Sequence, residues 1–309
     1  MMEIVEHRQV MILGGGPAGF TAALYAARAD LKPLLVTGMT LYGQASQTHC
    51  IENYPGFPEG VAGNELGERL DEQAKRFGAE IIYDMVQCVD LQQRPFKVCL
   101  GGGNYTADSL IISMGADARK LGIPGEREFT GRGVSYCATC DGAFYKDKNI
   151  HMVGGGDSAL EESLFLSRFA RSITIIHRRD QLRAGAILEK RARENPKIHF
   201  LWNTVVNEVI GENTITHLRI EDLKTGQEQT VPTDGLFVSI GHIPNTGVLE
   251  GQVKLTEHGT IEIDEHMETS VKGVFAAGEI ADPLYRQVVT SAGMGAAAAI
   301  SATKYLATV

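Results

Sequence analysis

Several features that would each define a protein class are missing from this 309-residue chain. No apolar run approaches the roughly 18 residues a membrane helix needs. The VMIL stretch at 10–13 is too short for the core of a secretory signal, so a cytoplasmic chain without a membrane partner is expected. A basic excess is absent: 29 Lys and Arg against 38 Asp and Glu leave a net charge of −9, which argues against a nucleic-acid partner. Cysteine is scarce, with five residues, an odd number in a chain too large to need disulfide staples. Only Cys137 and Cys140 are closely spaced, and there is no second CxxC and no HxxxH to complete a four-ligand metal set. Cys88 and Cys99 lie in alternating, strand-like runs and are expected to be small buried hydrophobes, while Cys50 has no evident role.

What is abundant is glycine, 35 residues, gathered in short clusters of the kind that let backbone approach a ligand. The block QVMILGGGPAGFTAALYAARADLKPLLVT reads as strand, glycine turn, helix, strand, a βαβ unit. NIHMVGGGDSALEESLFLSRFARSITIIH repeats it without a gap, 140 residues later. Gly14 and Gly154 permit the tight turn and Gly16 and Gly156 let backbone approach a pyrophosphate, while Gly19 or Ala159 allows close helix packing. The pyrophosphate would then sit on the helix N-terminus. Two dinucleotide sites are therefore expected.

The fold class that follows is α/β, with two Rossmann-like dinucleotide-binding domains. After the second copy comes the strand-like VFAAGEIAD and a small-residue helix from Ser291 toward Leu306, with no nucleotide turn of their own. This tail is best read as the returning part of the first domain, so the second domain is an insertion. The expected boundaries are 1–116 and 247–309 for the first domain and 117–246 for the second.

Each site carries a chemical signature. Where a ribose-binding acid stands in many Rossmann units, the second copy has His177, Arg178 and Arg179, with Arg183 soon after. Several cations there favour the 2′-phosphate of NADPH. The first copy has Thr37 at that place, which selects no nucleotide. Glu279, after the late strand, is placed either to hydrogen-bond a flavin or to cap a helix. SYCATCDGAFY carries redox chemistry, because two intervening residues let sulfurs close a small disulfide ring. Zinc is the main rival, disfavoured by the missing second ligand pair. Asp141 reads equally well as a proton shuttle and as a helix cap.

Together GGGPAG (14–19), ENYPG (52–56), CATCDGAFY (137–145), GGGDSA (154–159), HRRDQLRA (177–184), IGHIPNT (240–246) and GEIADPLYRQ (278–287) make the chain resemble the low-molecular-weight, bacterial-type thioredoxin reductases over nearly its whole length. The resemblance implies FAD on Gly14, Gly16, Pro17, Ala18, Gly19, Thr37, Gly43, Gln44, Asn53, Gly278, Glu279, Arg286, Gln287 and Val288. It implies NADPH on Gly154, Gly155, Gly156, Asp157, Ser158, His177, Arg178, Arg179 and Arg183. It further implies electron flow from NADPH through FAD to the disulfide, with Cys140 facing the flavin, Cys137 attacking thioredoxin, Asp141 as acid and base, a domain swing, and a cytoplasmic homodimer. Three positions depart from the family pattern: Tyr42 to Ala45 where a GGQL-like loop is common, Glu279 in place of aspartate, and Cys50.

Overall fold

The computed structural model describes residues 5–48 and 50–309. In chain order it contains β1 (Val5–Leu13), α1 (Pro17–Arg28), β2 (Leu34–Val36), α2 (Gly63–Arg76), β3 (Glu80–Ile82), β4 (Val86–Asp90), β5 (Phe96–Leu100), β6 (Gly103–Ile112) and β7 (Ala116–Ala118). There follow β8 (Val134–Ser135), α3 (Ala138–Asp141), β9 (Asn149–Gly154), α4 (Asp157–Leu166), β10 (Ser172–His177), α5 (Ala186–Glu194) and β11 (Ile198–Trp202). The remainder is β12 (Thr204–Gly211), β13 (Ile215–Asp222), β14 (Glu228–Pro232), β15 (Gly235–Ser239), β16 (His242–Pro244), β17 (Val274–Ala276) and α6 (Val288–Leu306). The chain divides into two compact units, Met1–Asp117 with Ile243–Val309, and Ala118–His242.

The first unit has a seven-stranded sheet in the order β3-β2-β1-β6-β5-β4, with β17 also on β6. One edge of the long β6 is shared. Its first half, Gly103 to Ala107, takes β5 antiparallel, and its last residues, Leu110 to Ile112, take β17 parallel. Strict alternation sends Met11, Leu13, Leu110 and Ile112 to one buried face, and Val10, Ile12 and Ile111 to the other. A sheet covered on both sides produces such continuous apolar strands. The second face carries α1 and α6, whose alanines let the helices approach closely: a Cβ on Gly295 would collide with the Ala18 backbone.

The second unit repeats the plan with an all-parallel sheet, β11-β10-β9-β15-β8. Ile150, Met152, Ile173, Ile175 and Phe237 pack on one side with α4. On the other, Ile176, Leu236 and Val238 pack against the antiparallel meander β12-β13-β14. Both units thus place a βαβ glycine turn at the carboxyl ends of parallel strands, where open α/β sheets bind ligands.

Candidate active site

In the first unit the three glycines of the turn have separable steric roles. Gly14 sits at φ +116, a conformation open to glycine, and a Cβ there would strike the Ser113 backbone. Gly16 faces open space, with nothing within 4 Å of its missing Cβ. Gly19 has no room for a side chain because the Gly14 carbonyl lies there. The second unit differs at the third position. Ala159 is accommodated because Gly154 lacks the Cβ that would press on it, and Gly156 again faces open space. Gly16 and Gly156 are also the N-caps of α1 and α4, neither with a side-chain cap bond. Open backbone at a helix start fits a dinucleotide pyrophosphate at both turns.

Around the first turn the structure gathers the expected residues. Thr37 lies beneath Gly15, is 5% exposed, and donates its hydroxyl to the carbonyls of Gly38 (3.0 Å) and Ile82 (3.3 Å). It therefore supports the turn from below. Gly43 approaches Gly16, its missing Cβ being 2.9 Å from the Gly16 Cα, and Gly278 approaches Ala18 in the same way. Tyr42 points away from the turn, its ring 5.8 Å from that of Phe20 and lying over Gly67 of α2. The departure at position 42 thus fills core space. Gln44 donates to the Ala116 carbonyl and, at 2.8 Å, to the Asp117 carboxylate. Asn53 donates to the Gln287 side chain at 3.1 Å, and Gln287 forms a capping box with Thr290 just ahead of Val288.

Glu279 is the electrostatic centre of this unit. Burial pushes its pKa up to about 7, Arg286 opposes the rise, and Asp282 and Asp117 add to it. Sequence reading missed Asp282, whose carboxylate accepts the backbone N–H groups of Leu284, Tyr285 and Arg286 at 2.9–3.0 Å. That clamp holds Arg286 at φ +50 beside the start of α6. The sequence signal for it is an Asp whose short side chain can reach backbone N–H groups two to four residues on. Cys50 is a free, half-buried thiol beside Gly60.

Around the second turn, His177 occupies the place that Thr37 takes in the first. It is 6% exposed, lies against Gly155, and burial holds its pKa below the ordinary imidazole value. Arg178, Arg179 and Arg183 are exposed, and none pairs with a carboxylate among the described residues. The loop carrying them folds back on the turn through Arg183 N–H to the Gly155 carbonyl (2.7 Å) and Gly185 N–H to the Asp157 carboxylate (2.7 Å). Ser158 is exposed in the first turn of α4. Trp202, missed in the sequence, is the register partner of His177. Its indole stands edge-on to the imidazole at 6.3 Å and stacks on Phe200 at 5.0 Å.

In the same unit Cys137 and Cys140 form a disulfide with Cα atoms 5.3 Å apart, Cys137 capping the one-turn helix α3. Both cysteines are half-buried. Asp141 makes no side-chain cap bond to the turn that follows. Burial raises its pKa above the usual carboxylate range, offset in part by a hydrogen bond from Ser135. A carboxyl whose proton affinity burial raises, next in the chain to Cys140, is suited to proton transfer. No group of three His, Cys, Asp or Glu side chains among the described residues is arranged to hold a metal.

One sequence expectation is overturned. Cys88 and Cys99 are not buried hydrophobes: they face outward across β4 and β5 and form a second disulfide. The buried residues of those strands are their neighbours Val89 and Val98, because the alternation has the opposite phase.

Comparison with known proteins agrees with this arrangement. The chain is 49% identical over 299 residues to a thioredoxin reductase of Mycolicibacterium smegmatis, covering 96% of each chain. It is 47% identical over 315 residues to one of Escherichia coli O157:H7, covering 99% of this chain and 98% of that one. The solved thioredoxin reductase of Streptococcus pyogenes MGAS5005 has a TM-score of 0.94 at 41% identity, covering 99% of this chain and all (100%) of that one. No helix among the described residues is long and apolar enough to cross a membrane. With the pyridine nucleotide-disulphide oxidoreductase pattern matching residues 8–295, the chain belongs to that family, as an oxidoreductase that works with a flavin, a nicotinamide nucleotide and a disulfide of its own.

Proposed function

We propose that the chain is an NADPH-dependent reductase of the disulfide of thioredoxin or a thioredoxin-like protein, with FAD on the first unit and NADPH on the second. The observation that carries this reading is the coexistence, within the second unit, of the Cys137–Cys140 disulfide and a glycine turn rimmed by Arg178, Arg179 and Arg183. Cations that no carboxylate neutralises favour a 2′-phosphorylated nucleotide over NADH. The names of the relatives supply the protein substrate.

In this reading FAD is held by Gly14, Gly16, Pro17, Ala18, Gly19, Gly43, Gln44, Asn53, Gly278, Glu279 and Arg286–Val288, and NADPH by Gly154–Ser158 and the arginines. A bound flavin supplies two-electron transfer from reduced nicotinamide to a disulfide. The chain's own chemistry starts from the dithiol. The Cys137 thiolate attacks one sulfur of the partner's disulfide, a mixed disulfide forms, and the partner's other sulfur leaves as a thiolate that takes a proton. The Cys140 thiolate then attacks the Cys137 sulfur, restoring the Cys137–Cys140 bond and releasing the second partner thiolate, which is also protonated. Asp141 holds and passes these protons. The reading extends to a cytoplasmic homodimer, which sedimentation and cell fractionation examine.

Steady-state turnover with NADPH, NADH and several thioredoxins tests cofactor and partner together. Cys140→Ser should still bleach oxidised flavin on mixing with NADPH and should not reduce thioredoxin. Retained thioredoxin turnover in that variant would sink the assigned relay.

A further inference from the structure

We propose that Cys88 and Cys99 are a second reversible dithiol–disulfide couple, a surface redox site that reacts with small-molecule disulfides independently of the Cys137–Cys140 relay. Three observations place it. First, the pair is directly opposed across antiparallel strands, with Cα atoms 5.0 Å apart, inside the span a disulfide bridges. Second, the opposition is produced by a β-bulge: the register shifts by one residue between Val86 and Cys88, and without that shift Gln87 would stand opposite Cys99. Bulges re-aim side chains. Third, the pair is on the outward face, Cys88 exposed and Cys99 half-buried, while Val89 and Val98 hold the strands to the core.

The backbone around the pair is fixed without the sulfurs. Beyond the ladder to β5, the Gln252 side chain donates to the Val89 carbonyl (2.7 Å) and accepts from Leu91 N–H (2.8 Å), covering the outer edge of β4. The thiols therefore stay opposed when the bond is open, as a reversible couple needs. Exposed Lys97 lies on the same face, two residues before Cys99, with Asp90 as its register partner on β4, so the face around the pair is polar and open to a small, soluble disulfide such as oxidised glutathione. The chemistry is ordinary exchange. The Cys88 thiolate attacks oxidised glutathione, forming a mixed disulfide and releasing one glutathione. The Cys99 thiolate then attacks the Cys88 sulfur, closing the protein disulfide and releasing the second glutathione. The two protons from the cysteines end on the two glutathione thiols. A dithiol reverses the sequence.

The test is cysteine labelling read by peptide mass spectrometry on the flavin-loaded protein. After treatment with oxidised glutathione and denaturing alkylation, Cys50 should be labelled and Cys88 and Cys99 should not. After brief native treatment with dithiothreitol, both should be labelled, and a second exposure to oxidised glutathione should remove that label. The site is overturned if Cys88 and Cys99 are labelled after oxidation, and equally if native dithiothreitol leaves the bond closed. Cys88→Ser with Cys99→Ser, and Cys99→Ser alone, should reduce thioredoxin at rates within twofold of the parent. A tenfold loss in a folded, flavin-loaded variant would overturn independence from the relay.

Discussion

The His177 imidazole lies against Gly155 from beneath, so that a Cβ on that glycine would land on the ring, and its Nε2 donates to the Gln181 carbonyl at 3.0 Å. The second nucleotide turn is thereby held at its height over the sheet by a neutral, buried side chain. Gly155→Ala forces one of the two to move, an overpacking change that costs about 1–3 kcal/mol at such sites. We expect the KM for NADPH to rise on the order of tenfold with little change in kcat. Adding His177→Ala should recover part of the loss, in steady-state kinetics on single and double variants.

The arginine rim predicts a selectivity change. Arg178→Ala, Arg179→Ala and Arg183→Ala each remove a charge free to meet a 2′-phosphate, and each should raise the KM for NADPH about tenfold, in line with the loss of one charge-assisted contact. The KM for NADH should change by less than about threefold. Parallel shifts with both nucleotides would assign these residues to folding of the turn.

Asp141 has a carboxyl whose pKa burial raises. Ionising it in the folded state is therefore harder than in the unfolded chain, so it contributes stability at low pH that is lost as pH rises through its folded-state pKa. Asp141→Asn should remove that decline from denaturant midpoints measured across pH. As the proton carrier it should also lower thioredoxin turnover about 100-fold while leaving flavin reduction by NADPH unchanged in stopped flow.

Glu279 gives the corresponding prediction for the first unit. Its folded-state pKa of about 7 lies above the ordinary 4.5, so below pH 4.5 both states are protonated and stability declines as pH rises from there to about 7. In flavin-free protein, Glu279→Gln should flatten that decline and raise stability at pH 8 by as much as about 3 kcal/mol. Urea unfolding at pH 5 and pH 8 is the measurement, and equal effects at both pH values would contradict the shift.

How much of this was legible before folding is clear from particular residues. The paired glycine turns were readable because their constraints are local: no room for a Cβ at Gly14 and Gly154, open backbone at Gly16 and Gly156, and close helix packing at Gly19 or Ala159 fall at the same spacing in both copies. The dithiol at Cys137 and Cys140 was readable for the same reason, since three residues of separation set the reach of the sulfurs. The basic run Arg178–Arg179 announced itself by where it falls, just past the second strand.

Position in space decided the rest. Thr37 and His177, candidates to touch a ligand from the sequence, are also set against Gly15 and Gly155, where the buried side chains support the two turns. Tyr42 stood out only as a departure from a glycine loop, and α2 brings Gly67 to receive its ring. Cys88 and Cys99 look like core residues in an alternating run, because alternation alone carries no phase. A single extra residue at Gln87 and the packing of Val89 and Val98 set that phase, bringing together two cysteines that their own segments gave no reason to pair. Thus the sequence by itself determined the α/β plan, the two nucleotide turns and the reactive CxxC, all written in short-range backbone and side-chain geometry. Only the tertiary structure decided which of the remaining polar and sulfur groups face solvent, since that depends on register and on contacts between segments far apart in the chain.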